Sequence, residues 1–163
     1  MAERIVPEAG KKAPSFTLPN QEGKKVKLAD QAGRWTVLYF YPKDDTPGCT
    51  KEACQFTEGI KAFNKLQADV WGVSPDTPEK HQKFIDKYKL KVELLSDPDK
   101  KVMTKYGAFG AKMMYGKEVE GVIRSTFLID PSGKIAHVWP NVKADGHAEK
   151  VQEKLSELSK AAK

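Results

Sequence analysis

The sequence is poor in the residues that staple small folds. Its 163 positions hold two cysteines, too few for a disulfide-bonded mini-fold or a zinc site of four thiolates. No apolar run approaches the roughly 20 residues that cross a bilayer. Met1 to Lys12 lacks the apolar stretch of a secretory signal. A cytoplasmic protein is therefore expected, and in that compartment a cysteine pair is more often catalytic or redox-sensing than structural. Arginine is scarce too, at three of the 28 basic residues. The net charge of +6 is carried by scattered lysines, with no long block of like charge. Base edges and phosphates are read preferentially by arginine forks. The surplus is thus expected to solvate the surface, with no nucleic-acid or membrane partner. The length suits one core, and no repeat, low-complexity segment or long linker divides the chain, so one domain over residues 1–163 is expected.

Phe16 to Pro19 and Val26 to Leu28 flank Gln21-Glu22-Gly23, which predicts a small N-terminal hairpin. Thr36 to Tyr41 is a continuous β-rich apolar run, as in a strand buried on both faces. Ala53, Phe56, Ile60, Phe63 and Leu66 recur at helical spacing and predict one helix over 50–66 despite Gly59. Asp69 to Ser74 and Val92 to Leu95 read as short strands. Pro78 to Tyr88 reads as a helix capped by Thr77, with Phe84 and Ile85 facing in. A short helix over 98–106 ends at Gly107. Gly121 to Asp130 reads as one strongly apolar strand, turned by Pro131-Ser132-Gly133 into an antiparallel return over 134–139. A last helix starts at Asp145 or Gly146 and carries Val151, Leu155 and Leu158 on one face. This order predicts an α/β fold: a mixed central sheet with helices on both faces.

The chemistry concentrates between the first buried strand and the first long helix, in Tyr41-Pro-Lys-Asp-Asp-Thr-Pro-Gly-Cys49-Thr-Lys-Glu-Ala-Cys54. Thr46 suits the N-cap and Pro47 the first helical position, which puts Cys49 at the third. Backbone N–H groups and the positive end of the helix dipole converge there and favour a thiolate, the nucleophilic form of cysteine. Cys49 precedes Phe56 by seven residues and lies within about 20° of the same helix face, so it points inward. Cys54 lies about 160° from Phe56, on the outer side. Two residues five apart on an intact helix have Cα atoms about 8.7 Å apart, whereas a disulfide needs less than about 7 Å. The two could bond only if the first turns unwound.

Arg124 breaks the apolar pattern of its predicted strand, on a face shared with Val122, Thr126 and Leu128. A buried arginine costs several kcal/mol unless an anion accepts it. The Cys49 thiolate is one such anion, and Glu52, Asp130 or a neighbouring carboxylate is the alternative. His81, His137 and His147 have no ligand-spaced partners and are expected to be exposed or capping rather than metal ligands. Trp35, Trp71 and Trp139 read as packing residues.

These residues resemble those of a peroxiredoxin. The family's Pro-x-x-x-Thr-x-x-Cys pattern is met by Pro42, Thr46 and Cys49, and its downstream arginine by Arg124. The four-residue gap to Cys54 is similar to that of the bacterioferritin-comigratory-protein, or Q-type, subfamily. The likeness runs from about Gly10 to the last helix. It implies a thioredoxin-like fold with an N-terminal β-hairpin extension. It also implies a peroxidatic Cys49 that attacks hydrogen peroxide or an organic hydroperoxide, and a resolving Cys54 that closes an intramolecular disulfide. Thr46 would orient the peroxide, Arg124 would activate the thiolate, Pro42 would shield the site and Glu52 would align Arg124. Thioredoxin or a similar dithiol protein would be the reductant, with no metal, haem or flavin, and the protein a monomer or weak homodimer. The rival reading on the same fold is a thioredoxin-like thiol–disulfide oxidoreductase. Those carry Cys-x-x-Cys, whose Cα atoms stand about 5 Å apart on an intact helix. A redox-sensing module is the non-enzymatic alternative.

Overall fold

The computed structural model describes residues 5–161. Met1–Arg4, part of the stretch scanned for a signal, and the last two residues lie outside them. Strands β1 (Thr17–Pro19) and β2 (Lys25–Lys27) pair antiparallel. Their connection is closed by Asn20, whose Oδ1 accepts from the amides of Glu22 and Lys24 at 2.9 and 3.0 Å, a side-chain mimic of a backbone turn. Strand β3 (Trp35–Phe40) is buried along its whole length, as a run without charge requires. Helices α1 (Pro47–Glu58) and α2 (Ile60–Lys65) follow. The chain continues through β4 (Ala68–Ser74), α3 (Pro78–Tyr88) and β5 (Glu93–Ser96). Then come α4 (Lys101–Lys105), the hairpin β6 (Phe109–Met114) and β7 (Lys117–Val122), β8 (Ser125–Ile129), β9 (Ile135–Trp139) and α5 (His147–Ala161).

The central sheet runs β5-β4-β3-β8-β9. Its first three strands are parallel and its last two are added antiparallel. Alternation along the strands feeds two cores. Val37, Tyr39 and Leu128 pack with Phe56 of α1, Phe63 of α2, Phe84 of α3 and Val151 and Leu155 of α5. Leu38, Phe40 and Phe127 pack on the other face with Leu18, Met103 of α4 and Tyr106. The mixed sheet, the layers and the N-terminal hairpin are those expected.

Three local expectations change. The helix over 50–66 is two helices, because the backbone at Gly59 leaves helical geometry (φ −89°, ψ 3°) and no side chain there holds the turn. The strand over 121–130 is interrupted: β7 ends at Val122 and β8 begins at Ser125, so Arg124 sits in the break rather than within a strand. Val122 consequently packs in the second core while Leu128 packs in the first. Finally, β6 pairs with β7 in a two-stranded ribbon that the apolar pattern did not suggest.

Candidate active site

The loop from Tyr41 to Thr46 delivers the chain from the central strand to α1, and buried polar groups fix its course. The Tyr41 hydroxyl donates to Asp44 Oδ1 at 2.5 Å, and the Asp44 amide donates to Asp76 Oδ2 at 2.8 Å. His81 hydrogen-bonds Asp44 Oδ2 through Nδ1 at 2.6 Å and donates from Nε2 to the Leu95 carbonyl at 2.9 Å. Asp76 also accepts from Ser74 Oγ at 2.8 Å. Donor atoms of Asp44, Asp76 and His81 lie within 4.8 Å of one another. These mutual hydrogen bonds account for that clustering without an ion. The next residue, Asp45, adopts a left-handed backbone (φ 57°), which aspartate tolerates. Its carboxylate takes Lys87 Nζ at 2.8 Å and the Tyr88 hydroxyl at 2.6 Å from α3. The loop is thus fastened to α3 from inside and outside.

Thr46 occupies the N-cap position with extended backbone, and Pro47 begins the helix, as expected. The Thr46 hydroxyl does not cap it, however: it donates to the Lys43 carbonyl at 2.9 Å. Cys49 falls at the third helical position and is 1 % exposed. Cys54 is half-buried at the edge of the first core rather than fully outward. It lines an outer groove of about 480 Å³ with Asp45, Thr46, Pro47 and Tyr88. Both cysteines are free thiols on one unbroken helix.

Arg124 joins the site from the break between β7 and β8. Its Nη2 donates to Cys49 Sγ at 3.1 Å and its Nη1 donates to Glu52 Oε1 at 2.6 Å. Two of the three anions named from the sequence, Cys49 and Glu52, therefore share one guanidinium, and Asp130 instead closes the exposed turn after β8. A Cβ at Gly48 would stand 3.3 Å from Arg124 Nη2, so the glycine permits the close approach. Burial opposes the charge on Arg124, but Glu52 and Cys49 more than restore it and hold its pKa above the ordinary value. Glu52 is fully buried. Desolvation outweighs its arginine partner and raises its pKa to about 7. Among the described residues its Oε2 has no hydrogen-bond partner, and neither has the buried hydroxyl of Tyr39.

Pro42 and Arg124 line a cavity of about 470 Å³ together with Ala111, Val122, Ile123 and Asn141. One wall comes from the β6–β7 ribbon, which sequence reasoning missed. Two histidine expectations are corrected. His81 is wholly buried in the loop scaffold. His147 is buried at the start of α5, where its Nε2 bonds Thr126 Oγ1 at 2.8 Å and desolvation lowers its pKa to about 4. A signal for the first existed, since His81 precedes Phe84 and Ile85 by three and four residues on the apolar face of α3. Trp35 and Trp71 are core residues and Trp139 packs at the edge of the first core.

A mixed sheet of this order, carrying a cysteine at a helix N-terminus under an arginine, defines a thiol-based redox protein. Comparison with known proteins narrows the class. Residues 9–138 match the AhpC/TSA family. A Mycobacterium tuberculosis relative is 52 % identical over 153 residues, covering 94 % of this chain and 96 % of its own. Peroxiredoxin Bcp of Bacillus subtilis is 44 % identical over 152 residues, covering 93 % of this chain and 97 % of its own. Among solved structures, the bacterioferritin comigratory protein of Xanthomonas campestris, described for its alkyl peroxide reduction activity, superposes with a TM-score of 0.87 at 36 % identity over 93 % of this chain and 99 % of that one. The chain belongs to the AhpC/TSA family of peroxiredoxins and is a thiol-dependent peroxidase with the thioredoxin-like fold. Among the described residues no helix is long and apolar enough to cross a membrane.

Proposed function

We propose that Cys49 is the peroxidatic residue and Cys54 the resolving one. The Cys49 thiolate attacks the O–O bond of hydrogen peroxide or an organic hydroperoxide and becomes a sulfenic acid. Arg124 holds the thiolate and stabilises charge on the departing oxygen. Pro42 limits water at the mouth of the site, the Thr46 hydroxyl orients the peroxide, and Glu52 positions Arg124. The start of α1 then unwinds, Cys54 condenses with the sulfenic acid, and thioredoxin or a similar dithiol protein reduces the disulfide. The chain acts as one domain over residues 1–163, as a cytoplasmic monomer or weak homodimer.

The observation that carries this reading is the shared guanidinium, 3.1 Å from Cys49 Sγ and 2.6 Å from Glu52 Oε1. The unwinding follows from geometry, because positions five apart on a helix stand about 8.7 Å apart at Cα. A thioredoxin-coupled peroxide assay tests the assignment. Wild type turns over. Cys54→Ser completes one turnover and stops, and sustained turnover by Cys54→Ser would remove Cys54 from the mechanism. Thr46 is tested in the same assay. Thr46→Ser keeps the hydroxyl and is expected to retain activity, whereas Thr46→Val loses both the bond to Lys43 and the peroxide contact. Equal activity of the two would leave Thr46 a packing role alone.

A further inference from the structure

Buried charge beneath Cys49 does not balance if every group there is ionised. One guanidinium faces two acids, the Cys49 thiol and the Glu52 carboxyl. Among the described residues Arg124 is the one cation paired with Glu52; Lys112 of β6, which lines the same cavity as Arg124, donates its Nζ to the Val122 carbonyl at 2.8 Å. Tyr39, from β3, is buried and held neutral by desolvation and by the neighbouring Glu52 and Cys49. Asp44 is engaged by Tyr41 and His81. His147, from α5, has its pKa lowered to about 4 by burial, with Lys150 and Arg124 acting in the same direction, so it is uncharged near neutrality. A second uncompensated anion at this buried position would cost several kcal/mol. The fully buried Oε2 of Glu52, which has no hydrogen-bond partner among the described residues, is where a proton can sit without disturbing the Arg124 bond at Oε1.

We propose that Glu52 holds a proton in the reduced enzyme and releases it as Cys49 is oxidised, so that Arg124 always faces one anion. This rests on the assignment of Cys49 and Cys54 above and adds a proton inventory to it. In the reduced state the pair is Cys49 thiolate and Glu52 carboxylic acid. The thiolate sulfur bonds to the nearer peroxide oxygen, the O–O bond breaks, and the leaving alkoxide or hydroxide gains a proton. Cys54 then displaces the hydroxyl of the sulfenic acid as water. The sum is Cys49 thiolate, Cys54 thiol, Glu52 acid and ROOH going to disulfide, Glu52 carboxylate, ROH and water. Two electrons pass from the cysteines to the peroxide, and atoms and charge balance. Unwinding of α1 assists the release, because Glu52 lies between the two cysteines and loses the burial that favours its protonated form. Glu52 is thus a positioning residue with a proton to give, and the count does not depend on the route that proton takes.

The test is equilibrium rather than rate. Wild type and Glu52→Gln are equilibrated with a dithiothreitol redox buffer at a series of pH values. The Cys49–Cys54 disulfide fraction is read by alkylation and mass. The glutamine side-chain oxygen retains the Arg124 bond but carries no titrating proton. Between about pH 5 and 6.5, below the folded Glu52 value and above that of an exposed carboxylate, reduction of wild type takes up two protons, one on Cys54 and one on Glu52. Its redox equilibrium constant, after correction for the buffer couple, should then change about 100-fold per pH unit; for Glu52→Gln it should change about ten-fold, or about 30 mV. A disulfide that forms in both proteins with equal slopes overturns the proton assignment alone. Failure of wild type to form that disulfide overturns the cysteine assignment and this inference with it; failure of Glu52→Gln alone leaves the decision to the wild-type slope. Thermal unfolding of reduced Glu52→Gln close to wild type shows that the variant folds. A collapse would shift the test to the wild-type slope, where a ten-fold change per unit contradicts the proposal.

Discussion

Cys49→Ser is expected to abolish peroxide consumption while leaving the far-ultraviolet spectrum and the thermal midpoint near those of wild type. Serine is close to cysteine in size, and the position is 1 % exposed beneath an intact helix start, so packing changes little. What disappears is the polarisable anion. A serine hydroxyl ionises far less readily than a thiol, and nothing in this site offers it a base: Glu52 bonds Arg124, and the nearby His147 bonds Thr126. The loss should be complete within the sensitivity of the assay, unlike the partial loss from a positioning residue. Retention of a tenth of the wild-type rate would require another nucleophile, and Cys54 is the sole other thiol in the sequence.

Removing the guanidinium has the second large effect, and it separates rate from stability. Arg124→Met should lower the peroxide rate by about 10²- to 10³-fold, the range for loss of one preorganised donor at a developing charge. It should also cost stability near neutral pH, because Glu52 would keep its burial and lose its partner. The sign of the pH dependence follows from the raised Glu52 value. A carboxyl at about 7 in the folded protein and lower when unfolded favours folding in acid, and that contribution is lost as pH rises through 7. Arg124→Met should therefore be most destabilised above neutrality and recover as pH falls towards 5. Pairing it with Glu52→Gln should restore most of the stability and none of the rate. Arg124→Lys is the milder probe. A single ammonium cannot span both Cys49 and Glu52 as the planar fork does, so the rate should fall while the fold persists. A wild-type rate in the lysine variant would return Arg124 to a structural role.

Much of this was legible in the sequence where one residue type has one physical use. Thr77-Pro78 opens α3 as read, with Thr77 Oγ1 accepting from the Lys80 amide at 3.3 Å. The Thr46-Pro47-Gly48-Cys49 turn placed a buried cysteine at the start of α1, and helix periodicity aimed it inward. Illegible features depend on tertiary partners. Strand β7 opens with Lys117, Glu118 and Glu120 exposed, and its ribbon is set by a turn with Tyr115 and Gly116 at positive φ, 54° and 78°, not by an apolar face. The break at Arg124 was hidden because Val122 and Ile123 on one side and Ser125 to Ile129 on the other are all buried, so the apolar run reads as continuous. His81 and His147 looked like surface residues until Asp44, the Leu95 carbonyl and Thr126 were brought to them from distant segments. A buried polar group is predictable only with its partner, and sequence spacing does not supply partners that lie 37 and 21 residues away.

The central claim is that Cys49 is oxidised first and Cys54 resolves it, and intact mass after one equivalent of peroxide tests it most directly. Wild type should be lighter by the two thiol hydrogens, with a peptide map joining Cys49 to Cys54. Cys54→Ser should gain one oxygen on Cys49, trapped by a sulfenic-acid reagent. An unchanged wild-type mass, or an oxygen found on Cys54 with Cys49 still a thiol, would contradict the account.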